Sequence, residues 1–399
     1  MTRVSDQSIF NANLRAFDRL RTSISDLQEQ IATGRRIQRP SDDPVGASRL
    51  LEFRESVTRI QQFQRNASLA ESRLQLEEDT LRDATNALQR VRELVLQAAN
   101  ASQSSETRGF IAEELNQSVE ALLTLANTRD ATDGFLFSGF QSGQQPFTRT
   151  VAGFQYNGDQ GQRFLQISSS RQVPDSDPGD AIFARLREGN GQVLVTPNPA
   201  NTGTGVALLT TTSPVTSYNL QSYRVEFTSP TDYDVVDSGG VVLTTGVFDP
   251  ETAIDVAGFQ IELSGNPSAG DSFDLQPSPN TDVFSVVQRI ADVLEDSADS
   301  PGSRAEVDNE INRALGGIDQ ALNQVLTVRT KVGTRLSAVE AQIDTNAGTE
   351  LVLQRSLAEI EDLDYAEAIS LLASQTTALE AAQQTFVRTQ SLSLFNFLR

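Results

Sequence analysis

Residues 53–98 read FRESVTRIQQFQRNASLAESRLQLEEDTLRDATNALQRVRELVLQA. In this stretch, small and apolar residues recur at alternating steps of three and four, and the two polar positions of the resulting seam are Ser56 and Glu77. A heptad seam predicts a long helix with one narrow apolar face, buried against another helix. At about 1.5 Å per residue the helix is roughly 70 Å long. We expect the rest of the chain to supply helices that pack against this long helix and a further domain that is attached to it.

The composition limits which functions are open to the chain. It has 399 residues, no Cys, His or Trp, and a formal net charge of −21. The usual general base and the usual zinc ligands are therefore absent, and no GxxxxGK, GxSxG or HExxH motif occurs. We expect no enzymatic activity, no metal and no cofactor. The negative charge argues against sequence-independent binding of nucleic acid or anionic membranes.

The sequence shows no pattern typical of a signal peptide or of a membrane-spanning segment. Residues 1–20 contain no apolar run of the kind found in a signal peptide, and no later segment is long and apolar enough to cross a bilayer. The protein is therefore expected to be cytosolic or to leave the cell by a route that needs no cleaved Sec signal.

The first third of the chain is expected to be helical. An amphipathic helix over residues 1–33 ends at Gly34, a residue suited to a helix C-terminus, and residues 35–40 form a connector. Residues 41–43 then precede Pro44 in the pattern of a helix start. The long helix runs from there to about Asn100, and a third helix ends near residues 133–134. The connector residues of interest are Gly34, Arg35, Arg36, Ser41, Asp42 and Asp43.

The pattern changes at Gly134. From there to about residue 280 most of the Gly and Pro residues occur and the apolar periodicity falls towards two, which predicts an inserted β-rich section. Strands are expected at residues 163–169, 223–228, 233–236, 241–245 and 259–263.

Helical periodicity returns after residue 281. A second heptad seam covers residues 311–343, with Arg329 as its polar interruption, and is the natural partner for the seam at 53–98. A last helix is expected from Glu350 to about Gln390, followed by an apolar tip.

The apolar faces of the two terminal helices are the candidate assembly interface. Their positions are Phe10, Leu14, Phe17, Leu20, Ile24, Leu27, Ile31, Leu372, Leu379 and Phe386, and the tip adds Leu392, Leu394, Phe395, Phe397 and Leu398. One-sided seams bury too little apolar surface to offset the entropy lost in ordering isolated helices. We therefore expect residues 1–33 and about 365–399 to be mobile in the monomer and to become ordered on assembly. The tip is expected to contact protein rather than membrane, because few basic residues flank it.

Acidic groups in the sequence have simpler interpretations than catalysis. Asp42 with Asp43, and Asp362 with Asp364, are interpreted as helix caps rather than general acid–base pairs. Residues 175–180 faintly resemble the start of a calcium loop, but the twelfth position holds Leu186 instead of a bidentate Glu.

Both ends of the chain resemble one protein family. Residues 31–50, IATGRRIQRPSDDPVGASRL, are similar to the N-terminal pattern of the flagellin superfamily, with its Gly-Arg connector and SDD segment. Residues 356–372, SLAEIEDLDYAEAISLL, are similar to the matching C-terminal pattern, and the Gly333 and Arg335 pair before them also fits. The two patterns occur in the right order and cover about half of the chain.

The inner part resembles the hook–filament junction family within that superfamily. The similar segments are GFLFSG at residues 134–139, YNGDQGQRFLQI at 156–167 and GNPSAGDSFDLQP at 265–277. The ending SLFNFL is also similar, whereas Phe135 stands where Thr is common in the family.

This resemblance implies an extracellular structural protein of the bacterial flagellum. It implies export in unfolded form through the flagellar type III channel, without a Sec signal peptide and with the help of a cytosolic chaperone. The implied partners are further copies of the chain in a short helical ring, the first hook-associated protein and flagellin, with no nucleic acid and no membrane.

The expected fold is α+β: an elongated long-helix bundle or coiled coil formed by both chain ends, with an inserted β-rich outer domain. We expect residues 1–40 with 365–399 to form a terminal coiled coil that is disordered in the monomer. Residues 41–177 with 281–364 form a helical bundle with a β-hairpin region, and residues 178–280 form the outer domain. Two alternatives stay open: the flagellin filament subunit itself, and a generic secreted coiled-coil structural protein. A secreted enzyme with a zinc-protease insert would need ligands that this chain lacks.

Overall fold

The computed structural model describes residues 2–210 and 221–397 and has helices at both ends of the chain with strands between them. The helices are α1 (Thr2–Thr33), α2 (Pro44–Ala98), α3 (Ser105–Ala126), α4 (Asp180–Phe183), α5 (Val283–Glu295), α6 (Pro301–Glu361) and α7 (Tyr365–Phe397). The strands are β1 (Phe147–Thr150), β2 (Gly153–Tyr156), β3 (Phe164–Gln166), β4 (Gln172–Pro174), β5 (Leu186–Arg187), β6 (Val193–Pro197), β7 (Val206–Thr210), β8 (Tyr223–Phe227), β9 (Asp232–Asp237), β10 (Val242–Val247), β11 (Ile254–Val256), β12 (Phe259–Ser264), β13 (Ser272–Pro277) and β14 (Asn280–Thr281). This is the α+β organisation expected from the sequence.

The chain divides into two compact units. One contains residues 1–65 and 343–399, which we call the terminal unit; the other contains residues 66–342, which we call the inner unit. The helices α2 and α6 each contribute residues to both. Each unit is described by itself below.

The heptad seam of α2 lies on its packed side throughout. Every seam position from 53 to 98 is buried or half-buried, and from Phe63 onward all of them are buried. The seam of α6 behaves in the same way: its positions from Ile311 to Ile343 are buried or half-buried, including the polar Arg329. Both predicted seams thus lie on packed faces, but buried residues beside them, such as Leu94 and Ala321, make each face wider than the predicted seam.

Ion pairs between α2 and α6 flank the packed faces in the inner unit. Arg329 donates from Nη2 to Glu78 Oε1 at 2.5 Å, and Arg92 donates from Nε to Asp319 Oδ1 at 2.9 Å. Arg329, which interrupts the seam of α6, therefore has a carboxylate partner on α2, which explains how it is accommodated at the edge of the packed face.

The middle of the chain forms a small β domain in the inner unit. Its five-stranded antiparallel sheet has the order β10-β9-β8-β13-β6, and a three-stranded sheet has the order β11-β12-β7. Apolar side chains from both sheets form one buried cluster that includes Val225, Phe259 and Phe273. Strands alternating between buried and exposed positions, as in β8 and β12, are typical of sheets that cover a shared core on one face.

Several element boundaries differ from the sequence expectations. The last helix does not begin at Glu350, because α6 continues to Glu361 and the break falls at residues 362–364. The third helix ends at Ala126 rather than near 133–134. Residues 130–134 instead form a turn in which the N–H of Gly134 donates to Asp130 Oδ1. The strands near 163–169, 223–228, 233–236, 241–245 and 259–263 are present. Others, among them β7 and β11, were not predicted, and neither were β6 and β13. Both end in Pro, which weakens the alternating pattern that identifies a strand.

In the terminal unit, α1 packs along α7. The ring of Phe386 lies between those of Phe10 and Phe17, with centroids 5.6 Å and 5.5 Å apart, in tilted and edge-to-face arrangements. Such aromatic contacts add to the apolar burial of a helix pair.

Candidate assembly site

The two family-like segments at the chain ends meet in the terminal unit. The backbone N–H of Arg36 donates to the carbonyl of Glu361 at 2.7 Å, and the N–H of Leu363 donates to the carbonyl of Gly34 at 3.0 Å. Arg35 and Asp362 form the isolated antiparallel bridge between these bonds. The connector after α1 and the break before α7 are therefore paired as two short extended segments, and we call this pair the double connector (residues 34–36 and 361–363).

Gly34 is required by the backbone at the end of α1. Its φ is +70°, a left-handed conformation that glycine adopts without strain. Its N–H donates to the carbonyl of Gln30 at 2.8 Å. A Cβ atom on Gly34 would lie 2.8 Å from the Tyr365 hydroxyl at the start of α7, so a side chain here is opposed by conformation and by space.

Arginine side chains reinforce the double connector. Arg36 donates from Nε and Nη2 to the carbonyl of Ile360, at 3.2 and 2.9 Å. The Glu361 carboxylate accepts from Arg35 at 2.8 Å and from Arg54 of α2 at 2.7 Å. Because the Glu361 side chain is largely buried while both arginines are half-exposed, this carboxylate is the centre of the network.

Capping carboxylates start the helices on either side. Asp43 accepts the N–H of Gly46 at 2.9 Å at the start of α2, and Asp364 accepts the N–H of Ala366 at 2.9 Å at the start of α7. Asp42 accepts the N–H groups of Gln38 and Arg39 at 3.2 and 2.9 Å. The bond from Arg39 is the main reason why the pKa of Asp42 is lowered.

Ser41 donates from Oγ to Asp42 Oδ1 at 3.3 Å. The connector residues identified in the sequence thus hold local turns and caps. This is the structural role that the sequence analysis preferred over acid–base catalysis.

The predicted seam of α1 is only partly covered. Leu27 is buried, Phe17, Leu20, Ile24 and Ile31 are half-buried, and Phe10 and Leu14 remain 39% and 41% exposed. On α7, Leu372, Leu379 and Phe386 are all half-buried. On α1, the burial of the seam therefore decreases from the double connector towards the start of the chain, where apolar area is exposed.

The predicted apolar tip is described only in part. Leu392, Leu394, Phe395 and Phe397 belong to the backbone of α7, and Leu398 lies outside the described residues.

Sequence reasoning missed a second set of apolar residues in the terminal unit. Exposed large side chains that lie off the predicted seams are Val45, Leu51, Leu351, Val352, Tyr365, Ile369, Leu371 and Val387. A single heptad count could not find them, because it assigns one apolar face to each helix. The sequence did contain a signal for this second set, namely apolar residues outside the heptad positions of each helix.

Two kinds of site are absent from the part of the chain that the structure describes. Over residues 2–210 and 221–397, acidic side chains form no group of three or more that could hold a metal ion. No helix within those ranges is long and apolar enough to cross a membrane.

Comparison with known proteins gives matches at both ends and over the whole chain. The family model described as the bacterial flagellin N-terminal helical region matches residues 4–142, and that of the bacterial flagellin C-terminal helical region matches residues 315–398. "Flagellar hook-associated protein 3" of Escherichia coli K12 is 25% identical over 393 residues, 98% of either chain.

Solved structures are also similar. FlgL of Xanthomonas campestris is 33% identical with a TM-score of 0.73, over 76% of this chain and 99% of that one. The flagellar junction protein FlgL of Legionella pneumophila is 31% identical with a TM-score of 0.70, over 78% of this chain and 99% of that one.

Proposed function

The chain belongs to the FlgL, or hook-associated protein 3, family of the flagellin superfamily, and from this premise we propose how its parts work. It is a structural component of the flagellum at the junction of hook and filament. We propose that the terminal unit is the assembly element, in which the double connector holds α1 and α7 together while their partly covered seams bind neighbouring subunits.

The observation that carries this proposal is the decrease in burial along the α1 seam, together with the α7 seam that is only half-buried. Next to the double connector the helices have buried residues such as Leu27 and Ala368, whereas Phe10 and Leu14 near the chain start are exposed. Burying a large apolar side chain contributes about 1.5–3 kcal/mol. A subunit that exposes these residues alone therefore gains stability when neighbours cover them.

We further propose three functional regions. Residues 1–40 with 365–399 form the terminal coiled coil, which orders on assembly; residues 41–177 with 281–364 form the helical bundle; and residues 178–280 form the β-rich outer domain. These three regions are defined by which residues become ordered on assembly. Their boundaries therefore differ from those between the terminal unit and the inner unit, which fall at 65/66 and 342/343.

The proposed partners follow from the junction role. Copies of the chain associate into a short helical ring, which stacks on the first hook-associated protein at one end and on flagellin at the other. The proposal also includes an extracellular location, export without a Sec signal peptide and a cytosolic export chaperone. A chain without Cys suits such export, since no disulfide has to be broken before unfolding.

The flagellin alternative is less well supported. The flagellin family models match only the two ends of the chain, whereas the similarity to hook-associated protein 3 also includes the inner part between them. A generic secreted coiled coil would give no reason for the paired patterns at both ends.

The test is a double substitution on the α7 seam. Leu379→Asp with Phe386→Asp should leave the inner unit folded, abolish motility and release flagellin monomers into the medium, because charges on the seam oppose its burial. The matched control is Thr377→Asp with Gln384→Asp, which places the same charges seven residues apart at exposed positions of α7. Normal motility of the seam variant, or equal loss in the control, would contradict the proposal.

A further inference from the structure

The edge of the five-stranded sheet formed by β10 is open. β10 is at one end of the strand order, and among the described residues only β9 pairs with it. The strand and the residue before it expose Val241, Val242, Leu243 and Val247 by 59%, 49%, 52% and 74%. Segment 241–247, VVLTTGV, contains no charge and no Pro, two features that normally protect an edge strand from pairing. Its register on β9 shifts between Val242 and Thr244 and is regular from Thr244 to Val247.

The hydrogen-bonding groups of this edge can be assigned from the ladder. Phe248 donates its N–H to the carbonyl of Thr231 at 2.6 Å, and Gly246 and Thr244 lie opposite Tyr233 and Val235. Because bonded positions alternate in an antiparallel pair, the backbone groups of Thr245 and Val247 point away from β9. An added strand would meet two backbone donors and two acceptors at these residues.

The edge strand β7 of the three-stranded sheet in the same domain is covered, unlike β10. The first residues of β7 lie against α6, where the N–H of Ala207 donates to Asn309 Oδ1 at 2.9 Å. The Asn309 amide in turn donates to the carbonyl of Gly205 at 3.0 Å. The fold thus caps β7 with a buried side chain and leaves β10 without such a cap within the described residues.

The charge around β10 indicates what would pair with it. Arg224 is the only basic residue among residues 191–280, which contain ten Asp and Glu residues, and it is paired with Asp274 and Glu226. Asp232, Asp234 and Asp237 lie on β9 beside the edge, and Asp249 and Glu251 follow β10. Two copies of this domain would repel each other at this edge, whereas a strand with basic residues would be attracted.

We propose that β10 is a docking edge for an extended segment of another protein, with apolar side chains in alternation and Arg or Lys at its flanks. The segment adds to the sheet through the backbone of Thr245 and Val247, while its apolar residues cover Leu243 and Val247. This partner surface goes beyond the junction role and is independent of the terminal helices.

The experiment measures binding of two labelled peptides to the full-length protein by fluorescence anisotropy. One peptide is Arg-Val-Thr-Val-Thr-Val-Arg, blocked at both ends, and the other has Glu in place of Arg. We expect the Arg peptide to bind about tenfold more tightly, and its affinity to fall as salt rises from about 50 to about 500 mM.

Two variants locate the site. Thr245→Pro removes an outward N–H without removing a bond to β9, and Leu243→Lys adds like charge against the Arg peptide; each should weaken its binding about tenfold. Using both keeps the test valid if one variant fails to fold. The proposal would be overturned if the two peptides bound equally well or if the Arg peptide did not bind. It would also be overturned if both variants kept the wild-type affinity, or if the protein self-associated and Thr245→Pro abolished that self-association.

Discussion

At the residue scale, Gly34 shows how one position serves the whole terminal unit. Its carbonyl accepts from Leu363, its φ is positive, and its missing side chain leaves room for Tyr365. The sequence suggested glycine at a helix C-terminus. It could not show that the turn is paired with a break more than three hundred residues later, because such pairing depends on how the chain folds back.

We expect Gly34→Ala to destabilise the double connector by about 1–2 kcal/mol, since a non-glycine residue is strained at positive φ. Amide exchange at residues 34–36 and 361–363 should become faster. The control is Gly348→Ala in α6, where the added Cβ meets no atom within 4 Å; it should be neutral or stabilising. Unchanged exchange in Gly34→Ala would count against the double connector as a stabilising element.

Glu77 is the buried polar residue in the seam of α2. Its side chain is fully buried, its Oε1 accepts the N–H of Asp177 at 3.0 Å, and its Oε2 has no hydrogen-bond partner. Burial, and then the charge of Asp177, raise the pKa of Glu77 well above its ordinary value. Arg335 donates to both oxygens of Asp177, at 2.7 and 3.1 Å, and no basic side chain donates to Glu77 Oε2, which has no hydrogen-bond partner.

This arrangement predicts a pH dependence with a definite sign. A carboxyl whose pKa is raised by folding contributes stability that is complete below its ordinary pKa and is lost as pH rises through the raised pKa. Glu77→Gln should therefore melt at a higher temperature than the wild type at about pH 8, and its melting temperature should fall less between about pH 5 and pH 8.

Melting followed by circular dichroism checks this prediction. Glu55→Gln, which changes an exposed glutamate of the same helix, should keep the pH slope of the wild type. The same slope in Glu77→Gln and the wild type would refute the assignment of the pH dependence to Glu77.

At the element scale, the helices were predictable and the strands were less so. The heptad seams at 53–98 and 311–343 specify long helices because their period is sustained over many turns. The break at residues 362–364 was missed as a boundary, because no Gly or Pro occurs among residues 350–390 to indicate one. Strands such as β6 and β13 are short and end in Pro, so their pairing is decided by the domain core rather than by local pattern.

The candidate site was predictable to a similar extent. Its connector residues and seam residues could be named from sequence, because caps and apolar periodicity are local signals. The central role of Glu361 could not, since its partners Arg35 and Arg54 are distant in sequence.

The helices α1 and α7 give a prediction at this scale. Each presents one partly covered face, so helix formation depends on packing partners. In monomeric protein we expect fast amide exchange over residues 1–33 and about 365–399, with slow exchange in the buried positions of α2 from Phe63 onward. Slow exchange in both terminal helices of a verified monomer would contradict ordering on assembly.

At the scale of the whole molecule, the chain forms the proposed assembly element from both of its ends and a β domain from its middle. Its acidic net charge of −21 opposes association of separate copies, so in the proposed ring the apolar seams have to supply the attraction. The proposed roles of the terminal seams and of β10 concern different units and can fail independently.

The position of the protein in the flagellum separates the junction role from the flagellin alternative. Immunogold labelling of isolated flagella, with an antibody raised against residues 178–280, tests it most directly. We predict a single narrow band of label where the hook meets the filament. Label along the whole filament would identify a flagellin instead, and flagella without any label would contradict the junction role altogether.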